Sequence, residues 1–323
     1  MYLQLALFVA IFIILLFWKK PGSLFKLRQR QPVSVNYHFT RKCNYSCGFC
    51  FHTATTSHIE PLERAKAGLF LLKEAGMRKI NFAGGEPFLY PKFLGNLLEY
   101  CKKDLCLESV SIVTNGSRVR DSFLSTFGQY IDVLAVSCDS FQEEINAKIG
   151  RGSGAHLPNV LRLSRLCREH GIKFKLNTVV NKFNYQEDMN RQISEIQPFR
   201  WKCFQVLIIK DENDSDKTLR NANSYIITDE EFKLFCNAHS HHQCLVPEPN
   251  NVMKSSYLIL DEYMRFLNKG TGTPTESILD IGVQKALEKV YWDEGSFHAR
   301  GGIYDWSKTD KGCSAAGDPN MDW

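Results

Sequence analysis

The chain has 323 residues, 44 % of them hydrophobic and 23 % charged, which is ordinary for a globular protein and excludes general disorder. A formal charge of +5 suits a small anion or a membrane surface and is too weak to imply a nucleic-acid duplex as partner. Eleven cysteines, an odd number without paired spacings in so long a chain, argue against a secreted disulfide scaffold; most read as reduced, buried thiols in a cytosolic compartment.

Met1 to Trp18 is almost wholly apolar, with Gln4 the one strongly polar side chain, and as a helix it would span about 27 Å, close to a bilayer core. A cleaved signal fits poorly, because no basic region precedes the run and bulky Phe17 and Trp18 replace small cleavage-site residues. Lys19, Lys20, Lys26, Arg28 and Arg30 follow at once, so the remainder is expected to face the cytosol. The organisation this predicts is a membrane-anchoring helix over 1–18, a basic linker over 19–32, a catalytic domain over 33–210 and a C-terminal extension over 211–323 that closes over a substrate.

Strand-like and helix-like segments alternate after Pro32. Val33 to Thr40 reads as a strand, Leu62 to Ala75 as an amphipathic helix ended by Gly76, and Lys79 to Ala83 as a strand running into Gly84-Gly85. Phe93 to Lys103 is helical, Ser109 to Thr114 a strand stopped by Asn115-Gly116, and Val133 to Cys138 the fourth strand. Asn159 to His170 is helical with Gly171 as its cap, Phe174 to Val180 a strand, Met189 to Ile196 a short helix and Lys202 to Ile209 the sixth strand. Six such units predict an α/β fold, a parallel sheet curved into a partial (βα)6 barrel, with chemistry at the C-terminal strand ends. Beyond it, Lys210 to Ser224 reads as loop, Asp229 to Ala238 and Ser256 to Leu267 as helical pieces, and the Gly-rich stretch after Ala299 as irregular.

Cys43, Cys47 and Cys50 follow directly on the first strand. Three thiolates on one loop can hold three irons of a cubane cluster and leave the fourth iron open. Structural zinc is the rival reading, with His38 or His52 as a fourth ligand. CxxxCxxC after a first strand, with aromatic Phe49 before the last cysteine, is the radical S-adenosylmethionine (SAM) signature. Gly84-Gly85-Glu86-Pro87 at the end of the second strand resembles the segment by which radical SAM enzymes hold the amino group of SAM, the glycines admitting backbone and Glu86 adding a charge-assisted bond. Ser137 and Arg151 are expected to complete the SAM pocket, Arg151 as a fork on the carboxylate, with Asn115 lining it.

From Ser34 almost to the C-terminus the chain resembles the viperins, antiviral radical SAM nucleotide dehydratases. The resemblance rests on Ser34 to Arg41, Cys47 to Thr53, Lys79 to Phe82, Ser137 to Phe141, Tyr257 to Asn268 and Arg300 to Gly302. It implies an enzyme with a 4Fe–4S cluster on three cysteines, using SAM to convert CTP to 3′-deoxy-3′,4′-didehydro-CTP. Lys79, Lys175, Arg200 and Lys202 sit in otherwise apolar strands, where lysines are costly unless an anion compensates them. These four, with Asn36, Tyr257 and Arg300, match positions that viperins use on the nucleotide; cytosine is carried by the resemblance alone.

The resemblance further implies a reductant protein, cluster delivery by the cytosolic iron–sulfur assembly machinery through the C-terminal Trp, and the cytosolic face of the endoplasmic reticulum membrane, with lipid droplets a second location. Two departures stand out: Met1 to Trp18 lacks a polar face, which favours deeper insertion over surface attachment, and Gly312 to Asn320 looks inserted before Asp322-Trp323. The rivals are a radical SAM enzyme of another nucleotide, a two-cluster radical SAM enzyme, against which Cys203, Cys236, Cys244 and Cys313 are too scattered, and a membrane-tethered scaffold without turnover.

Overall fold

The structure, a computed structural model, describes residues 30–152, 154–268 and 272–308. Eight strands form one sheet in which each strand pairs in parallel with its neighbours: β1 (Ser34–His38), β2 (Lys79–Ala83), β3 (Ser109–Thr114), β4 (Val133–Ser137), β5 (Lys173–Val180), β6 (Arg200–Gln205), β7 (Leu245–Glu248) and β8 (Leu258–Leu260). The spatial order is β7-β6-β5-β4-β3-β2-β1-β8. The six expected strands are its centre, and the two extra ones, both drawn from beyond residue 210, flank it on opposite edges.

Crossover helices cover the outer face because their apolar residues recur at helical spacing. In α1 (Leu62–Glu74), Ala65, Gly68, Leu69 and Leu72 are buried; in α2 (Pro91–Lys103), Leu94, Leu97, Leu98 and Cys101. Then come α3 (Asp121–Phe127), α4 (Glu143–Ile149), α5 (His156–Glu169) and α6 (Asn190–Ile196). The strands are buried on both faces and read differently on each. Val35, Tyr37, Ile80, Phe82, Val110, Ile112, Leu176 and Trp201 make the apolar core, while the alternate residues, polar and cationic, line the interior.

Three expectations are corrected. The sixth strand runs Arg200–Gln205, not Lys202 to Ile209: Asn213 accepts from the Ile209 N–H at 2.7 Å and donates to the Leu207 carbonyl at 3.1 Å, drawing the chain out of the ladder. Ser256 to Leu267 is not helical. The helix here is Asn250–Ser256, preceded by Asp229–Ala238 (α7), and so becomes α8; Leu258–Leu260 is strand β8, wholly buried beside β1. A short apolar run does not by itself separate strand from helix. Asp261 then turns the chain, accepting from the Tyr263 and Arg265 N–H groups at 2.9 Å each, so that Leu260 bridges Phe266. The third correction is β7, which lies in a stretch left unassigned between the helical pieces.

The chain continues through α9 (Ile278–Ile281), α10 (Val283–Lys289) and α11 (Glu294–Ala299) into an irregular segment. That segment packs under the N-terminal ends of the strands: the Ser109 hydroxyl donates to the Trp306 carbonyl at 2.9 Å, and the Lys308 N–H to Asp132 at 3.1 Å. Among the described residues no helix is long and apolar enough to cross a membrane. The expected anchor over 1–18, Gly312 to Asn320 and Asp322-Trp323 lie outside the described residues.

Candidate active site

A cavity of about 310 Å³ opens at the C-terminal strand ends, lined by Cys43, Cys47, Phe49, Cys50, Gly84, Gly85, Asn115, Ser137 and Arg151 among others. The loop carrying the cysteines is clamped from two sides. The Gly85 and Glu86 N–H groups donate to the Thr40 and Lys42 carbonyls at 2.6 and 2.8 Å. The Ser46 and Gly48 N–H groups donate to the Gly150 and Ile149 carbonyls at 3.0 and 2.9 Å. Gly84 (φ +130°) and Gly150 (φ +88°) are required at these clamps, since a β-carbon would stand 2.3 Å from the Thr40 carbonyl oxygen or 2.4 Å from that of Ser46.

The three cysteines are free thiols, and burial pushes each upward, Cys47 to about 12. Only a bound cation would make them thiolates at neutral pH. Cys138, just after β4, is buried, donates to the Ser140 carbonyl and does not line the cavity. Among the described residues no three His, Cys, Asp or Glu side chains converge on a point that a single ion could occupy. His38 and His52 line the cavity in edge contact with each other (centroids 4.6 Å apart), with His52 3.7 Å from Glu262. With Cys43, Cys47 and Cys50 in one cavity lining, the donor set fits a three-cysteine cluster.

Glu86 departs from expectation. Its carboxylate is fully buried and absent from the cavity lining, accepting from the Phe88 N–H at 3.0 Å, the Thr114 hydroxyl at 2.7 Å and the Asn115 N–H at 2.8 Å. It therefore bolts the Gly84-Gly85 turn to the end of β3 and leaves the backbone, not the carboxylate, facing the cavity. Burial raises its pKa, and these three donors oppose the shift. Arg151 is no solvated loop residue: it lines the cavity, 7 % exposed, in an ion pair with Asp139. Burial pulls its pKa down, but Asp139 outweighs that, so it stays charged. Asn115 holds the cysteine loop, donating to Asn44 at 3.0 Å.

A second chamber of about 80 Å³ lies deeper, toward the N-terminal strand ends, lined by Lys79, Lys175, Lys202, Arg300, Asn36, Tyr257, Tyr304 and neighbours. Lys79 donates to Ser109 and Ser111 at 2.8 and 2.6 Å. Burial lowers Lys79 to about 7 and Lys202 to about 8, and it drives Lys175 well below the usual lysine range, helped by the Lys202 and Lys79 charges. Arg200 stands outside this lining, its guanidinium 4.0 Å from the Tyr304 ring centroid. Asn36, Val113, Asn177, Phe204 and Tyr257 line both chambers, so the two share a wall.

Sequence reasoning missed Asn177, Asp139 and Glu248. Asn177 was within reach of strand alternation, standing two residues after Lys175 on the same face. Asp139 and Glu248 carry no local signal, because each earns its place through a partner remote in sequence.

Residues 37–191 match the Radical SAM superfamily. Among solved structures the fold is similar to that of Streptococcus suis SuiB bound to S-adenosylmethionine (TM-score 0.62, 16 % identity, 84 % of this chain and 68 % of that one). It is also similar to native anSMEcpe with bound AdoMet (TM-score 0.62, 14 % identity, 83 % of each chain). Fold and cysteine loop together define a radical SAM protein. Among similar sequences, the S-adenosylmethionine-dependent nucleotide dehydratases RSAD2 of Oncorhynchus mykiss and Danio rerio are 54 % and 55 % identical over 285 residues, spanning 86 % of this chain and 82 % and 79 % of theirs. A nucleotide dehydratase of Flammeovirga pacifica is 35 % identical over 84 % of this chain and 96 % of its own. The chain belongs to the S-adenosylmethionine-dependent nucleotide dehydratases, the viperin family.

Proposed function

We propose that the protein converts CTP to 3′-deoxy-3′,4′-didehydro-CTP as an antiviral enzyme, with Cys43, Cys47 and Cys50 holding a 4Fe–4S cluster beside bound SAM. When bound, cluster and SAM supply one-electron cleavage to a 5′-deoxyadenosyl radical that takes hydrogen from the ribose. The observation that carries this reading is the wall the two chambers share, which sets a cationic cradle directly below the cavity of the cysteine loop.

The chain's own groups divide the labour. The Gly84-Gly85 backbone, Ser137 and Arg151 face the cavity where the amino-acid end of SAM would lie, with Asn115 and Phe49 holding the loop beside it. Lys79, Lys175, Lys202 and Arg300 would bind the triphosphate, and Arg200 adds charge from behind Tyr304. Asn36 and Tyr257, at the waist shared by both chambers, would orient the ribose, while Val113 and Phe204 exclude water there. The cradle reads phosphate and not base, so a different nucleotide is the competing reading.

By the same resemblance, an apolar Met1 to Trp18 followed by lysines supports attachment to the cytosolic face of the endoplasmic reticulum, with lipid droplets as a second location. A reductant protein and the iron–sulfur assembly machinery would serve the cluster.

The test is anaerobic cluster reconstitution, reduction, and incubation with SAM and each nucleoside triphosphate in turn. Formation of 5′-deoxyadenosine, strongly stimulated by CTP, is expected together with a nucleotide lighter by the elements of water. Equal stimulation by GTP or UTP would overturn the cytidine assignment, and no nucleotide product at all would leave the scaffold reading.

A further inference from the structure

Glu248 ends β7, is 1 % exposed, and lies behind the cationic chamber without lining it. Its Oε1 pairs with the Lys202 ammonium, accepts from the Tyr257 hydroxyl at 3.0 Å and stands 3.3 Å from an Arg300 nitrogen. Those three partners come from β6, from the residue before β8, and from the residue after α11. They also touch one another: Lys202 donates to the Tyr257 oxygen at 2.7 Å, and the Arg300 guanidinium lies 4.0 Å from the Tyr257 ring centroid. Glu248 is the carboxylate that all three share.

We infer that Glu248 is a positioning residue for the polyphosphate end of the substrate, gathering Lys202, Tyr257 and Arg300 into one receiving face. The inference rests on the nucleotide-dehydratase reading and adds to it a residue that never touches substrate. The physical need is plain. Lys202 is faced by Arg200 on its own strand, Lys79 on β2, Lys175 on β5, and Arg300 and Tyr257 from the C-terminal elements; Glu248 is the anion set against them at that end. Burial and these like charges favour the neutral amine, and Glu248 is the main influence holding the proton on. Its other oxygen, Oε2, is buried without a hydrogen-bond partner, a cost in desolvation that a merely structural acceptor would not need to carry.

The test is Glu248→Gln in the full-length, cluster-loaded enzyme, with CTP and SAM as the ligands measured. At pH 8 the KM for CTP should rise about fivefold, the effect of a roughly tenfold weaker hold on the Lys202 proton where that amine is half charged, while kcat at saturating CTP changes little. The pH at which KM begins to climb should move downward, because the amine now loses its proton earlier. In a Lys202→Met background, Glu248→Gln should add little, and full additivity would overturn the coupling through Lys202. The double variant also removes both charges at once, so it keeps the question open to measurement should the single variant fold poorly. A wild-type KM with an unshifted pH profile overturns the inference and leaves the CTP reading standing; absence of nucleotide turnover in the unaltered enzyme overturns the CTP reading itself. Retained binding of SAM, read from the spin signal of the reduced cluster, confirms that a higher KM belongs to the nucleotide chamber, and its parallel loss would overturn that assignment.

Discussion

Arg41 Nε donates to Glu262 Oε1 at 2.8 Å, joining the residue that precedes the cysteine loop to the turn after β8. The same guanidinium grips Glu212, in the loop after β6, through two bonds of 3.0 and 2.9 Å, and the Thr53 carbonyl at 3.3 Å. Arg41 is 6 % exposed and the Glu262 side chain 1 %. Arg41→Ala leaves a buried carboxylate unpaired, and a loss of about 3–5 kcal/mol is expected in anaerobic chemical denaturation. Arg41→Lys should recover only part, since one ammonium cannot span the same three partners.

Replacing Cys47 by Ala should abolish the iron–sulfur absorbance and all turnover, because the loop places this thiol in the cavity. Cys101→Ala, a thiol wholly buried in α2, should keep both. Equal cluster yield from the two variants would mean that the cysteine loop is not the binding site.

Burial lowers Lys79 to about 7, so above that pH the empty chamber holds it neutral, while phosphate binding needs it charged. Calorimetric titration of CTP in buffers of different ionisation enthalpy should therefore show proton uptake at pH 8 that vanishes near pH 6. The sign for folding is opposite to the usual ion-pair case. The unfolded chain keeps its lysine proton to higher pH than the native state does, so this site makes the empty enzyme more stable as pH rises above about 7. A flat proton count across this range would show that Lys79 does not charge on binding.

Glu86→Ala strands three buried donors, the Phe88 and Asn115 N–H groups and the Thr114 hydroxyl. A destabilisation of about 3 kcal/mol or more is expected. SAM affinity should fall as well, since the Gly84-Gly85 turn loses its tie to β3. Equilibrium dialysis with labelled SAM measures this, and unchanged affinity in a folded variant would show that the turn holds its shape without the carboxylate.

Trp306 is 3 % exposed and packs under the chamber, its ring 5.6 Å from the Lys79 ammonium. Trp306→Ala should cost about 3–5 kcal/mol and raise the KM for CTP, with SAM binding kept. A KM equal to that of the unaltered enzyme would show that the C-terminal segment is not needed to close the nucleotide chamber.

The parts legible in the sequence are those in which chemistry or packing constrains residue type at short range. Three cysteines within eight residues and the Gly84-Gly85-Glu86-Pro87 turn are such cases, because close backbone approach and shared ligation leave few substitutes. The core strands were legible from their apolar runs, and the lysines of β2, β5 and β6 because an ammonium amid such runs calls for an anion. Short strands at the sheet edges were not, since Leu258 to Leu260 alone fits a helix as well as a strand.

By itself, then, the sequence determined the alternating α/β architecture, the cysteine loop and the cationic strand positions, each written in neighbouring residues. Only the tertiary structure decided that Glu86 serves the backbone, that Arg151 is sealed against Asp139, and that Glu248 gathers Lys202, Tyr257 and Arg300. The reason is physical: a buried charge is defined by its partners, and those partners meet only when strands and tail remote in sequence close the same barrel.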